Sequence, residues 1–512
     1  MMQTIHFVRN GVKLFACLAI MIAFWGCTSD DVSKPDPETE TETETEPETD
    51  PPPPPPPSGD AYVGPRANTY DDPANGIYVS PDGNDATATG AIGAPYKSIN
   101  TALGAAQSGA TIVLRGGTYR EGRDVRVRKS NITIKSRKGE WAVIDLTSYG
   151  SGHEWDSGIE FYAEDEITGG IVSGCKLQSV EVKGGFYAVS FETQWDWGQA
   201  ERGGASNIII EDCILHHSTN DVVKIKPGCD NITIRYCEIH HSGQAYIEHP
   251  DTPSGENNSE GIDNVNGDNM TVHNNHIHDI CSNGIYAKGG ATDAVIENNL
   301  VERTYGAGIA VGFDTSPEFF DLTVNPKYYE NIRGIVRNNL IIDTGWEGIG
   351  LYASKDAQVY NNTLVNVAKL GQFARSAIYF GIVTQDWESH DGRPANSHPA
   401  IHHNIVSQPN GIIYPMINIR FDDNDQLGKL SGLDGKPTMH DNCYYIADKM
   451  AGFSDNRPGS IVSNAGLAAW KLHIDGDNNS IEVNPSLNAN YMATNTQCTG
   501  MGIQVPIYGS VP

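Results

Sequence analysis

Lys224, Lys226 and Lys288 lie in two short segments, NDVVKIKPG (220–228) and SNGIYAKGG (282–290), of a chain in which 64 acids face 35 bases. An amine crowded by other amines gives up its proton more easily, so one lysine of such a group can act as a base while another neutralises an anion. Tyr286 and His241 are the neighbouring groups able to deliver a proton to a leaving oxygen. Asp221, Glu260 and Asp263 add hard oxygen donors of the kind that hold Ca2+, although the same acids could instead be salt-bridged to the lysines. Together these types point to proton abstraction beside an anionic group.

These residues meet only if the chain stacks on itself, and a repeat predicts that it does. TVHNNHI (271–277), VIENNLV (295–301) and IVRNNLI (335–341) share one pattern, and their second asparagines are Asn275, Asn299 and Asn339. The column continues to Asn362, Asn404 and Asn442, and upstream to Cys175, Cys213 and Cys237. The shortest step, from Asn275 to Asn299, is 24 residues. Short strands at such a period indicate an all-β parallel β-helix solenoid with an inward Asn/Cys ladder.

Alternation along one strand of each turn then sends Val223, Ile262, Ile285, Ile309 and Ile349 inward. Two outward columns follow, one reading Ser190, Lys224, Asp263, Tyr286, Ala310, Gly350 and the other Glu192, Lys226, Val265, Lys288, Gly312, Tyr352. With rungs about 4.8 Å apart, the lysines form one patch beside a shallow groove. Insertions at 244–260, 313–331 and 385–399 are expected to wall it, supplying Glu248 and His249 which, with Tyr352, would contact substrate. His216, His240 and His278 share another outward column, with His217 and His241 one residue later; they could bind a transition metal, but the sequence shows no carboxylate or cysteine that completes such a site.

Residues 1–27 combine Arg9 and Lys13 with the apolar run LFACLAIMIAFW and end at Cys27, the layout of a lipoprotein signal with lipid on that cysteine. Residues 28–60 form an acidic, proline-rich spacer without core-forming residues, 61–445 the expected solenoid, and 446–512, which lack the repeat, its cap. Of the −29 formal charge the leader contributes +2 and the spacer −10, leaving −21 on the body, which disfavours nucleic acid. The expected setting is the cell envelope: a monomer tethered to the outer membrane by its lipid alone.

The stretch YVSPDGNDATATGAIGAPYKSINTALGAAQSGATIVLRGGTYRE (78–121), followed by GENNSEGIDNVNGDN (255–269) and the asparagine column, resembles right-handed parallel β-helix polysaccharide lyases, most closely pectate lyases of family 9. That resemblance implies a lysine base and an aspartate-rich calcium site on the lysine-bearing strand face. Matching the glycine- and asparagine-rich segment places the family lysine at Val265, whose column neighbours are Lys226 and Lys288. The implied activity is β-elimination of an acidic, uronate-containing polysaccharide such as pectate or alginate. Lys226 or Lys288 would be the base, Lys224 the neutralising cation, Tyr286 or His241 the acid, and Asp221, Glu260 and Asp263 the calcium ligands. Alternatives are a glycoside hydrolase using Glu260 and Asp263, a C5-epimerase, and a non-catalytic surface glycan-binding protein.

Overall fold

The computed structural model describes residues 62–148, 157–162, 171–195, 203–243, 258–370, 375–384, 393–411, 415–425, 427–459 and 462–507. Residues 1–61, and with them the expected leader and spacer, lie outside this description. So do Glu248 and His249.

Three sheets of twelve strands each run the length of the body. The first extends from Ile77–Val79 to Thr438–His440, the second from Val125–Val127 to Val462–Ala465, and the third from Gly117–Tyr119 to Ile481–Glu482. Neighbouring strands pair in parallel throughout, except the last pair of the second sheet, Phe453–Asp455 with Val462–Ala465. Each turn contributes one strand to each sheet, which is the predicted parallel β-helix.

The inward isoleucine column explains why the register holds. Val223, Ile262, Ile285, Ile309 and Ile349 are fully buried and directly stacked. A slip of one residue would turn this column out and the charged one in, losing about 1.5–3 kcal/mol for each large aliphatic side chain exposed.

The paired asparagines divide their labour. The first of each pair, at Asn274, Asn298, Asn338 and Asn361, has φ between 53° and 58°, the left-handed conformation that asparagine tolerates better than most residues. The second turns into the core and bonds to the next rung. Asn275 donates its backbone N–H and Nδ2 to Asn299 Oδ1, both at 3.0 Å, and the same pair of contacts links Asn299 to Asn339, Asn339 to Asn362, Asn362 to Asn404 and Asn404 to Asn442. Asp477 and Ser480 terminate the ladder. Upstream, Cys175, Cys213 and Cys237 take the same place as buried free thiols with sulfur-to-carbonyl contacts.

A helix, Ile99–Ala105, capped by the Ser98 side chain on Thr101 N, packs on the first strands. A second, Leu467–Ile474, buries Trp470 against the last ones. Strands Phe453–Asp455 and Ile481–Glu482 carry the sheets past residue 445; their pairing continues without the asparagine pattern that marks earlier turns. Among the described residues no helix is long and apolar enough to cross a membrane.

Candidate active site

The site lies on the outer face of the second sheet. Lys224 pairs with Asp263, Asp263 with Tyr286, and Val265 with Lys288, so the outward columns sit in the order expected. Tyr286 is followed by Ala310 and then Gly350, and their small size makes room for the Tyr352 ring, which packs over Gly350. Above this face is a cavity of about 770 Å3, lined on one side by Lys224, Glu260, Asp263, Val265, Asn283 and Lys288 and on the other by Trp346, Tyr352, Arg375 and Arg420.

Lys224 is the hub of the first side. Its ammonium contacts Asp263 and lies 3.3 Å from Asp221 Oδ2, and both carboxylates are fully buried. Burial opposes its charge, but Asp263 and Asp221 outweigh that and hold its pKa well above the usual lysine value. This corrects the expectation of an amine acidified by other amines: its close partners are carboxylates. Glu260 donates its backbone N–H to Asp221 Oδ1 at 2.9 Å and accepts from Asn283 Nδ2 at 3.2 Å. Burial, reinforced by Asp221, pushes the Glu260 carboxyl well above the usual carboxylate range.

Asp221, Glu260 and Asp263 each bring an oxygen to within 4.8 Å of the others. Glu260 Oε2 and Asp263 Oδ1 are buried without a hydrogen-bond partner. Orphaned buried oxygens are costly unless something answers them, and a hard divalent cation is the species that three carboxylates suit. The donor set therefore fits Ca2+, with the Lys224 ammonium as the competing cation on two of the same carboxylates.

Lys288 is placed differently. It directs Nζ to Asp314 O at 3.1 Å and over the Tyr286 ring at 4.4 Å from the centroid. Glu330 fixes its strand end: this buried carboxyl accepts from Gly289 N at 2.9 Å and Thr315 Oγ1 at 2.7 Å, with Arg393 at 3.2 Å. Burial pushes the Glu330 pKa up to about 7 in spite of these donors. The 313–330 segment is thereby clamped beside Lys288.

Of the remaining candidates, Lys226, Tyr286 and His241 are not among the residues that line the cavity, and Tyr352 is. Lys226 ion-pairs with Glu192 at 2.6 Å, one rung away in its own column. Tyr286 is fully buried under Phe313, ring centroids 5.8 Å apart, and its hydroxyl has no hydrogen-bond partner. Burial, with Asp263 and Glu260 nearby, pushes its pKa well up. His241 stacks on His217 in the histidine column of the third sheet. Tyr352 lines the cavity with its ring, but its hydroxyl donates to Glu347.

Four cavity residues escape the repeat-based reading: Trp346, Arg375, Arg420 and Phe313. Arg375 binds Glu347 through Nη1 at 3.0 and 3.1 Å and lies over Trp346 at 4.3 Å. Arg420 lies 3.6 Å from Asp422, interacts with the Tyr379 hydroxyl, and keeps part of its side chain exposed. Arg375 precedes and Arg420 follows the strand of its own turn, so neither falls in the alternating columns read from the sequence.

A family profile described as the right handed beta helix region matches residues 130–371. With the three parallel sheets, this describes a parallel β-helix fold whose match to the right-handed family covers residues 130–371. Among characterised proteins, a pectate lyase of Emericella nidulans is 43% identical over 74 residues, 14% of this chain and 18% of that protein. A structural similarity extends to pectate lyase Pel9A (14% identity, 66% of this chain and 77% of that one, TM-score 0.40). Another extends to the A-module of a mannuronan C-5 epimerase from Azotobacter vinelandii (14% identity, 76% of this chain and 95% of that one, TM-score 0.44).

Proposed function

We propose that this chain is a polysaccharide lyase that cleaves a uronate-containing glycan by β-elimination in the second-sheet groove. The observation that carries this reading is a lysine, Lys288, at the wall of a cavity that also holds a buried carboxylate cluster and a partly exposed arginine, Arg420. The local sequence similarity to a pectate lyase supports it.

In this reading Lys288 Nζ takes the C5 proton of a uronate ring. The C5–H electron pair becomes the C4–C5 double bond, and the C4–O bond breaks. The leaving oxygen takes a proton from water in the open groove, because Tyr286 and His241 are outside the cavity lining. Arg420 receives the substrate carboxylate, since Arg375 is already held by Glu347. Neutralising that carboxylate is what acidifies the C5 proton. Asp221, Glu260 and Asp263 would hold Ca2+, which when bound supplies further positive charge at this wall. Lys226 pairs with Glu192 and keeps its column neighbour away from the reaction.

One observation favours a second reading: Glu260 and Asp263 are two buried carboxyls at the cavity wall, with Glu260 pushed up by burial, and paired carboxyls are what a glycoside hydrolase uses. Lys288→Ala separates the two. Loss of a general base lowers kcat by roughly 100- to 10,000-fold, so the lyase reading expects that loss with little change in KM. Near-normal turnover in Lys288→Ala would refute Lys288 as the base, and saturated fragments of full hydrolytic mass would establish hydrolysis.

The lipid-anchored outer-membrane setting read from residues 1–60 belongs to the same proposal. Fatty-acid labelling that survives Cys27→Ser would refute it.

A further inference from the structure

The third sheet carries a second concentration of chemistry on its outer face. His216, His240 and His278 stand in direct register. The first two rings stack with centroids 4.6 Å apart, and those of His217 and His241 with centroids 4.8 Å apart and planes within 6°. Within each rung the two adjacent imidazoles meet at their Nδ1 atoms: His216 and His217 at 2.6 Å, His240 and His241 at 2.6 Å. The donor that the sequence left missing is thus another histidine, one rung away.

We propose that His216, His217, His240 and His241 form a site for one transition-metal ion of the zinc class, separate from the carboxylate cluster of the groove. His216, His217 and His240 each offer a nitrogen within 4.8 Å of the others, and His241 repeats the place of His217 on the next rung. Zn–N bonds of about 2.0–2.1 Å set tetrahedral nitrogens roughly 3.3 Å apart, so each Nδ1 pair opens by less than about 1 Å to share an ion.

Two further features suit ligation. His216 Nε2 lies 3.2 Å from Glu181 Oε1, which places the ring proton on Nε2 and the lone pair on Nδ1, the carboxylate–histidine–metal arrangement. The His240 ring is held in the stack between those of His216 and His278, with centroids 4.6 and 4.9 Å away, which fixes its plane. The ladder ends at His278, whose ring is held by Asp279 at 2.7 Å and Glu238 at 3.1 Å. Neutral imidazoles select borderline ions such as Zn2+ over Ca2+. Such an ion would tie two turns together just ahead of Asp221 and Lys224, at the corner where the chain enters the groove sheet.

The test is calorimetric titration of untagged, chelator-treated protein with Zn2+ in excess Ca2+, for wild type and the His217→Ala/His241→Ala double variant. The expected result is one equivalent bound by wild type with a Kd of roughly micromolar or tighter, and affinity lowered about 100-fold in the double variant. Circular dichroism checks the variant's fold, and His217→Gln/His241→Gln replaces it if alanine prevents folding. Co2+ substitution should give the visible spectrum of a tetrahedral nitrogen site. No Zn2+ binding by wild type, or equal binding by a folded double variant, overturns the proposal.

Discussion

Replacing Lys224 with Met keeps the apolar stem and deletes the ammonium that faces Asp221 and Asp263. Both carboxylates have no exposed side-chain surface, whereas the lysine side chain retains 16%. Removing one partner of a buried ion pair costs about 3–5 kcal/mol; the residual exposure of Lys224 places the expectation near the lower end, about 3 kcal/mol. The cost carries a pH signature. Without the ammonium the folded carboxylates bind protons more tightly than unfolded ones, whose pKa is about 3.9, so the variant loses stability as pH rises. The raised pKa of Lys224 means that wild type keeps its contribution below the unfolded lysine value of about 10.4. The deficit should therefore be small near pH 4 and complete by about pH 7. Urea unfolding at several pH values measures it. Ca2+ at about 100 times its Kd should restore about 2.7 kcal/mol, because it would bind the vacated carboxylates. A deficit below about 1 kcal/mol, or one independent of pH, would refute the charge coupling on which this site description rests.

Asn339→Ala removes an amide that accepts from Asn299 N at 3.1 Å and donates to Ile296 O at 2.9 Å, leaving buried backbone groups unpaired at about 1–3 kcal/mol each; the midpoint of urea unfolding should fall by a clear margin, and an unchanged midpoint would remove the ladder from the list of stabilising features. Arg420→Ala should raise KM for an anionic glycan about tenfold or more, with a smaller effect on a carboxyl-reduced version of the same glycan, because a hydrogen bond to a charged group is worth about 1.5–3 kcal/mol. Equal losses on both substrates would mean that Arg420 does not receive the carboxylate. Glu330→Gln, at a carboxyl buried behind Gly289 and Thr315, should lower kcat through misplacement of Lys288 and leave Ca2+ affinity unchanged; altered Ca2+ binding would contradict that division of roles.

Much of this site could be read from spacing alone. Inward isoleucines at period two fix which neighbours point out, so the pairing of Lys224 with Asp263 and of Val265 with Lys288 follows once the asparagine column sets the register. The carboxylate trio Asp221, Glu260 and Asp263 was legible for the same reason. What spacing could not supply was the partner of each charge. Glu192 and Lys226 are adjacent in one column, yet only coordinates show that they pair with each other. Tyr286 occupies an outward position and is nonetheless buried, because Phe313 from the 313–331 insertion covers it. Arg375 and Arg420 flank the strands Ile378–Gly381 and Ile417–Ile419 instead of lying in them, so strand alternation does not place them at the cavity they line.

The most direct test of elimination in this groove is the mass of the fragments released from pectate and alginate. With Ca2+ present, the new non-reducing ends should carry a C4–C5 double bond, absorb in the ultraviolet, and be lighter by one water than hydrolytic fragments. Fragments of full hydrolytic mass with no such absorbance would contradict the lyase reading and assign the groove to Glu260 and Asp263 as a hydrolase.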